Sequence, residues 1–305
     1  MAELAEAAHG AGEHGVNQTV QEYITHHLSY LTFGKNPESG HWEFAKTIEE
    51  ATEMGFMSFH VDSLFWSFLL GGGALLFFRY IGKRATSDTP SGIQNFVEMI
   101  FEFVGNQVNE GFNHKNAHIA PLALTIFVWI VLMNLMDLVP VDWIPMIAAW
   151  FGQGFGQEHM SFKVVPTTDP NITLGMSISV FFLIIYYSIK NKGLGGFVAE
   201  LTLQPLGKWA IPFNMLVEIP GFYAKQGALA LRLYGNLFAG EMIFILIALL
   251  FGSFFESVSG AMWGVLGILL HMGWAIFHIL IIALQAYVFM ILTVVFLNQA
   301  HETHH

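Results

Sequence analysis

Arg232 lies in the segment Ala228-Leu-Ala-Leu-Arg-Leu-Tyr-Gly-Asn-Leu-Phe-Ala-Gly-Glu241, with no charged residue nearer than Lys225 and Glu241, inside an apolar stretch that continues to Phe255. A guanidinium cannot shed its proton to escape a low-dielectric site, so the chain carries a fixed cation where charge is costly. Glu218, Lys225 and Arg232 are spaced i, i+7, i+14, which on a helix drifts only about 20° per step and forms one stripe of roughly 21 Å. Asn236 follows one turn later on nearly that face, whereas Glu241, nine residues after Arg232, points about 180° away. His271, His278 and Gln285 repeat the same spacing near the C-terminus, and Asn134 and Asp137 sit one turn apart in an earlier apolar stretch.

Each of these residues has a plainer use. Asn134, Asn236 and Gln285 could tie helices together, Lys225 could snorkel to the interface, and Glu218 and His271 could simply be interfacial. Arg232, Glu241 and Asp137 are different, because a deep charge costs several kcal/mol unless it is paired or solvated. Three chemistries can be set against the set. A metal or haem centre needs converging ligands, but His271 and His278 are about 10 Å apart along one helix. No cysteine or Glu-x-x-His completes a site, and His301, His304 and His305 match a ligand spacing only loosely, so the reading is of no metal and no cofactor. A multi-pass secondary transporter or ion channel would use similar polar residues, yet such folds usually show internal repeats and broken helices. Proton conduction needs groups that titrate near neutrality along watered paths, which Glu, Asp and His supply, and a barrier to direct leak, which a fixed Arg supplies.

The elements that must carry these residues are membrane spans. The chain is 54% hydrophobic and 11% charged, where a soluble domain has roughly 25% charged residues. The net charge of −11 argues against nucleic-acid binding, and Cys is absent. Residues 1–60 hold nine Glu and six His and read as a polar arm, with no cleavable signal in the first sixteen. Spans are expected at about 62–80, with Gly71-Gly72-Gly73 for close helix approach, at 119–139, ended by Pro140, and at 171–189. Residues 91–111 show apolar positions at helical spacing (Ile93, Phe96, Val97, Ile100, Phe101, Val104, Val108), as an interfacial helix would. A loop rich in Gly, Trp and Pro covers 141–170. Two segments, about 213–255 and 257–301, are too long for upright spans, since 40 helical residues cover about 60 Å against a hydrocarbon core of roughly 30 Å. They must tilt, lie partly in plane, or break. Arg79, Lys83, Arg84, Lys115, Lys190, Lys192 and Lys208 flank one side and Lys35, Lys46 and Lys163 the other, so the N-terminus is expected outside and the C-terminus in the cytoplasm after five crossings. The organisation expected is a 1–60 arm, a 61–300 transmembrane domain and a 301–305 tail.

The polar residues lie in longer motifs: Ala120-Pro-Leu-Ala-Leu-Thr-Ile-Phe-Val-Trp with Asn134-Leu-Met-Asp137-Leu-Val-Pro140; Glu200-Leu-Thr-Leu-Gln-Pro205; Leu231-Arg232-Leu-Tyr-Gly-Asn236-Leu-Phe-Ala-Gly-Glu241; and Trp274-Ala-Ile-Phe-His278-Ile-Leu-Ile-Ile-Ala-Leu-Gln285-Ala. With Glu22-Tyr-Ile-Thr-His-His-Leu28 near the N-terminus, these closely resemble the subunit a family of bacterial F-type ATP synthases. The resemblance implies an all-α polytopic protein of the bacterial inner membrane, non-catalytic by itself. Its last two helices would form a tilted hairpin against a ring of c subunits, with the b-subunit peripheral stalk, the other synthase subunits, lipid and protons as its remaining partners. It implies that Arg232 faces the ring carboxylate. Glu241, His278, Asp137, Asn236 and Gln285 would belong to an outer half-channel, and Glu218, with Lys225 a weaker candidate, to an inner exit path; Asn134 and His271 are weaker candidates from the spacing alone.

Overall fold

The structure is a computed structural model that describes residues 29–139, 163–203, 209, 211–249 and 258–302, apart from 38, 46, 87–88, 91 and 115. The motif at Glu22 to Leu28, the loop to residue 162, His304, His305, Lys46, Lys115 and Lys208 lie outside the described residues.

The chain divides into two compact units. In the unit of residues 1–66 and 139–166, β1 (Thr32–Lys35) pairs antiparallel with β2 (Trp42–Phe44) and β3 (Phe59–His60) in the order β2-β1-β3. Phe33 sits opposite Phe44, and its ring also meets Trp42, so one face of the small sheet is aromatic. The turn between β1 and β2 closes through Asn36 N–H to His41 O at 2.9 Å, with Gly40 at φ 70. A short helix, α1 (Ile48–Glu53), starts where the Thr47 hydroxyl accepts the Glu50 N–H at 3.2 Å.

Asp62, wholly buried, is the knot of this unit. Its carboxylate accepts the backbone N–H groups of Leu31 at 2.9 Å, Lys163 at 2.8 Å and Ser63 at 2.8 Å. The Lys163 ammonium lies 4.6 Å over the Tyr30 ring, which stacks on His60 at 4.3 Å. Residues 32–60 therefore hold a small three-stranded sheet within the segment whose composition reads as a polar arm. The strands are two to four residues long, too short for a period-2 pattern to stand out, and the pairing of β1 with β3 is non-local.

The unit of residues 67–138 and 167–305 is helical. It is built from α2 (Val61–Arg84, whose first turns lie in the other unit), α3 (Gly92–Gly111), α4 (Ile119–Leu135), α5 (Pro170–Leu203), α6 (Ile211–Leu249) and α7 (Val258–His301). All but α3 are long and apolar enough to cross a membrane, giving, among the described residues, the five spans expected from hydropathy. The α5 helix breaks at Gly193 (φ 73, ψ 165), a backbone conformation that only glycine adopts cheaply. At 39 and 44 residues, α6 and α7 each exceed the roughly 30 Å hydrocarbon thickness about twofold.

Packing follows the helical period. Leu229, Leu233 and Leu237 on α6 and Phe289, Met290, Val294 and Leu297 on α7 are buried together with Ile130 and Met133 of α4. On α3 the buried face is Val97, Val104 and Val108, while Ile93 and Phe96 of the same apolar stripe are exposed. Gln94, on the polar side by sequence, is buried because it donates to Thr86 O at 3.0 Å and to Glu98 at 2.7 Å.

Replacing Asp62 by Ala strands two long-range N–H donors, each costing about 1–3 kcal/mol in that unit. Limited trypsin digestion read by mass spectrometry should then show cleavage after Lys163, now 3% exposed, many times faster than in the parent; an unchanged rate would mean that Asp62 does not hold this segment.

Candidate functional site

The C-terminal end of α4 runs into a 3-10 turn, Met136–Leu138, that turns Asp137 inward. There its Oδ2 lies 2.6 Å from Nε2 of His278 on α7, both side chains almost fully enclosed. The imidazole is boxed by Phe244 of α6, with ring centroids 5.3 Å apart, by Trp274 at 6.3 Å and by the backbone of Gly240. A methyl group on Gly240 would collide with the ring, lying 2.8 Å from Nδ1. α6 can therefore press this close to His278 only because residue 240 has no side chain. The Trp274 indole N–H reaches Gly240 O at 3.4 Å, and the next residue, Glu241, is buried at 3% exposure.

Farther along the two helices Asn236 donates its amide to Gln285 Oε1 at 2.9 Å. Asn134 of α4 is fully buried. Among the described residues both amide atoms of Asn134, Nε2 of Gln285 and Nδ1 of His278 have no hydrogen-bond partner. Buried polar atoms of this kind are satisfied by ordered water where the site is polar and roomy. His271 is exposed, and among the described residues it meets this region through the Phe244 ring, 5.1 Å away.

Arg232 is on the other side of α6, as its nine-residue separation from Glu241 requires. It is exposed, and among the described residues it makes no ion pair. On its face of α6, Ala224, Ala228 and Ala239 are exposed with it, and so are Lys225 and Asn236, the latter one turn on.

A third polar place lies between α5, α6 and the end of α7. Glu218 and Lys225 line a cavity of about 70 Å³ together with Ser188, Lys192, Glu200 and Gln226. Lys192 donates to both Glu200 oxygens, at 2.9 and 2.7 Å, across the Gly193 break, and to Gln299 O at 3.1 Å. That volume holds a few waters.

Helical spacing thus separated Arg232 from Glu241 correctly, but it could not join Asp137 to His278, which stand 141 positions apart. Gly240, Phe244, Lys192 and Glu200 were not singled out from spacing. The glycine immediately before Glu241 was the one signal for the first, and the charged pair flanking a glycine run for the last two.

Residues 64–298, the region that holds all of these side chains, match the family described as ATP synthase A chain. Over 95% of its length the chain is 59% identical to ATP synthase subunit a 2 of Hahella chejuensis, covering 99% of that protein. It is 55% identical to ATP synthase subunit a of Ruthia magnifica, with 94% of this chain and 97% of that one covered. The same identity holds for ATP synthase subunit a of Pseudomonas syringae, covering 94% and 99%.

The chain belongs to the ATP synthase A chain family.

It is accordingly a membrane subunit of an F-type ATP synthase, acting in proton transport and ATP synthesis beside other subunits of that complex. Five apolar spans and bacterial relatives fit the bacterial inner membrane. Within this A chain the Gly240 contact is directly testable. Gly240→Ala should slow ATP-driven proton pumping about tenfold or more, since overpacking costs about 1–3 kcal/mol and here displaces His278. Gly227→Ala, where the added methyl meets open space, should leave pumping close to the parent rate in the same dye-quenching assay of membrane vesicles.

Proposed function

We propose that this A chain is the proton-translocating stator: it offers two offset half-channels that load and unload carboxylates on a rotating c ring, and it makes no ATP itself. The observation that carries the reading is the exposure of Arg232 on a face of α6 where the small side chains Ala224, Ala228 and Ala239 are exposed beside it. A bare guanidinium toward lipid is expensive, and a partner bringing a carboxylate against small side chains would remove that cost. The length of α6 and α7 supports a steeply tilted hairpin on the ring side.

In this reading protons enter from outside among Asp137, His278, Glu241, Asn236 and Gln285, where the orphaned amide and imidazole atoms support a watered path. A ring carboxylate protonated there is neutral and rotates into lipid cheaply. After most of a turn it comes to Arg232, whose charge lowers its pKa and favours release. The proton leaves by the cavity of Glu218, Lys225, Lys192 and Glu200. Arg232 also opposes direct passage between the half-channels, because a proton there would be a second positive charge beside the first. Each charge carried across 100 mV supplies about 2.3 kcal/mol, so several must combine for one ATP.

The accompanying topology puts the N-terminal residues outside and the C-terminus in the cytoplasm, with Arg79, Lys83, Arg84, Lys190 and Lys192 on the cytoplasmic side. The b-subunit peripheral stalk would hold the chain against rotation.

Arg232→Ala should abolish proton-coupled ATP synthesis and raise passive proton leak, and Arg232→Lys should fail as well, since a buried ammonium can deprotonate. Normal ATP-driven pumping by Arg232→Ala would refute the role; loss of uptake of some solute by the purified chain alone would indicate a transporter instead. His278→Ala and Glu241→Gln should slow proton uptake on the order of 10²-fold, the scale of a lost proton-transfer group, and unchanged flux would remove that residue from the path.

A further inference from the structure

Between α2, α3 and α4 lies an apolar cavity of about 540 Å³, lined by Phe68, Gly72, Leu75, Phe78, Gly105 and Trp129 among others. Trp129 is held at one end of it, donating its indole N–H to Ser67 O at 2.9 Å and pressing on Gly71, where a Cβ would lie 2.9 Å from the indole ring. Gly72 and Gly105 leave the space open, since a Cβ on either meets nothing within 4 Å. The Gly71-Gly72-Gly73 run, expected to seat a neighbouring helix, thus does so only at Gly71.

Depth and charge limit what can fill the space. From Phe68 to Phe78 the cavity follows about 15 Å of helix, which is one leaflet of a roughly 30 Å hydrocarbon core. A membrane-spanning helix of another subunit needs twice that depth, and water does not occupy an apolar space of this kind. Beyond Phe78 the helix becomes basic. Arg79, four residues after Leu75 and hence on the lining face, is exposed, and Lys83 follows one turn on. Among the described residues neither forms an ion pair, while Arg84 lies 4.2 Å over the Tyr80 ring.

We propose that this cavity binds one anionic phospholipid from the leaflet at the Arg79 end, an acyl chain lying between Gly72 and Gly105 and the phosphate resting against Arg79 and Lys83. The apolar lining supplies affinity for the chain, and the two cations select an anionic headgroup.

The test is photo-crosslinking in the whole synthase, reconstituted in phosphatidylethanolamine vesicles with a trace of phosphatidylglycerol carrying a diazirine on one acyl chain, followed by peptide mapping. Label is expected on residues 68–78 and 101–129, above that from a phosphatidylcholine probe with the same chain. Arg79→Gln and Lys83→Gln should each lower phosphatidylglycerol labelling about fivefold, the increment for one basic residue at an anionic surface, and leave phosphatidylcholine unaffected. Gly72→Leu with Gly105→Leu should fill the cavity and remove the label; if that variant does not assemble, the charge variants still decide. Three results would overturn the proposal: equal labelling by both lipids, as from a general lipid annulus; label on the isolated chain that vanishes in the complex, as from a subunit covering the groove; or label that survives when the cavity is filled.

Discussion

A guanidinium inside a membrane must be met by its surroundings, because it has no neutral form to fall back on. In this chain α6 turns Leu229, Leu233 and Leu237 toward α4 and α7 and by the same helical geometry turns Arg232 outward. The buried leucines and the outward cation are two consequences of one period. Burying Arg232 within the chain would require a carboxylate on a facing helix, and the nearest carboxylate after it, Glu241, is on the opposite side of α6. Among the described residues the charge is left without an ion pair, and in the proposed function a partner answers it.

The remaining polar groups are divided between two places. Asp137 and His278 meet at 2.6 Å beside Gly240, with Glu241 next in the chain. Glu218 and Lys225 share the other cavity with the Lys192–Glu200 pair. Apolar packing by Leu233, Leu237, Phe289 and Met290 occupies the helices between them. Polar clusters parted by apolar packing can each hold water without forming one continuous passage, a separation that the proposed rotor-coupled path requires.

Local backbone features make both clusters possible. Gly240 lets α6 approach the imidazole, and Gly193 breaks α5 so that Lys192 and Glu200, eight residues apart, can face each other. Elsewhere glycine has the opposite effect: Gly72 and Gly105 leave a groove that the protein's own side chains do not fill. One residue type serves close approach in one place and open space in another, and only the neighbours distinguish the two.

Hydropathy over windows of about twenty residues located all five spans, because the bilayer imposes a length and an apolar composition that a single segment must satisfy by itself. The same local rule set Arg232 and Glu241 on opposite faces, since residues on one helix are related by a fixed angle. The sheet at residues 32–60 was not legible, being made of strands too short to show a period and held by Asp62 reaching across to Leu31 and Lys163. Nor was the Asp137–His278 contact, for it depends on how α4, α6 and α7 pack. The amino-acid order alone determined which groups lie in the membrane and on which side of their own helix they stand. Tertiary structure alone decided which of them touch, because contact between separate helices is set by side-chain volumes at their crossing, down to the missing Cβ of Gly240.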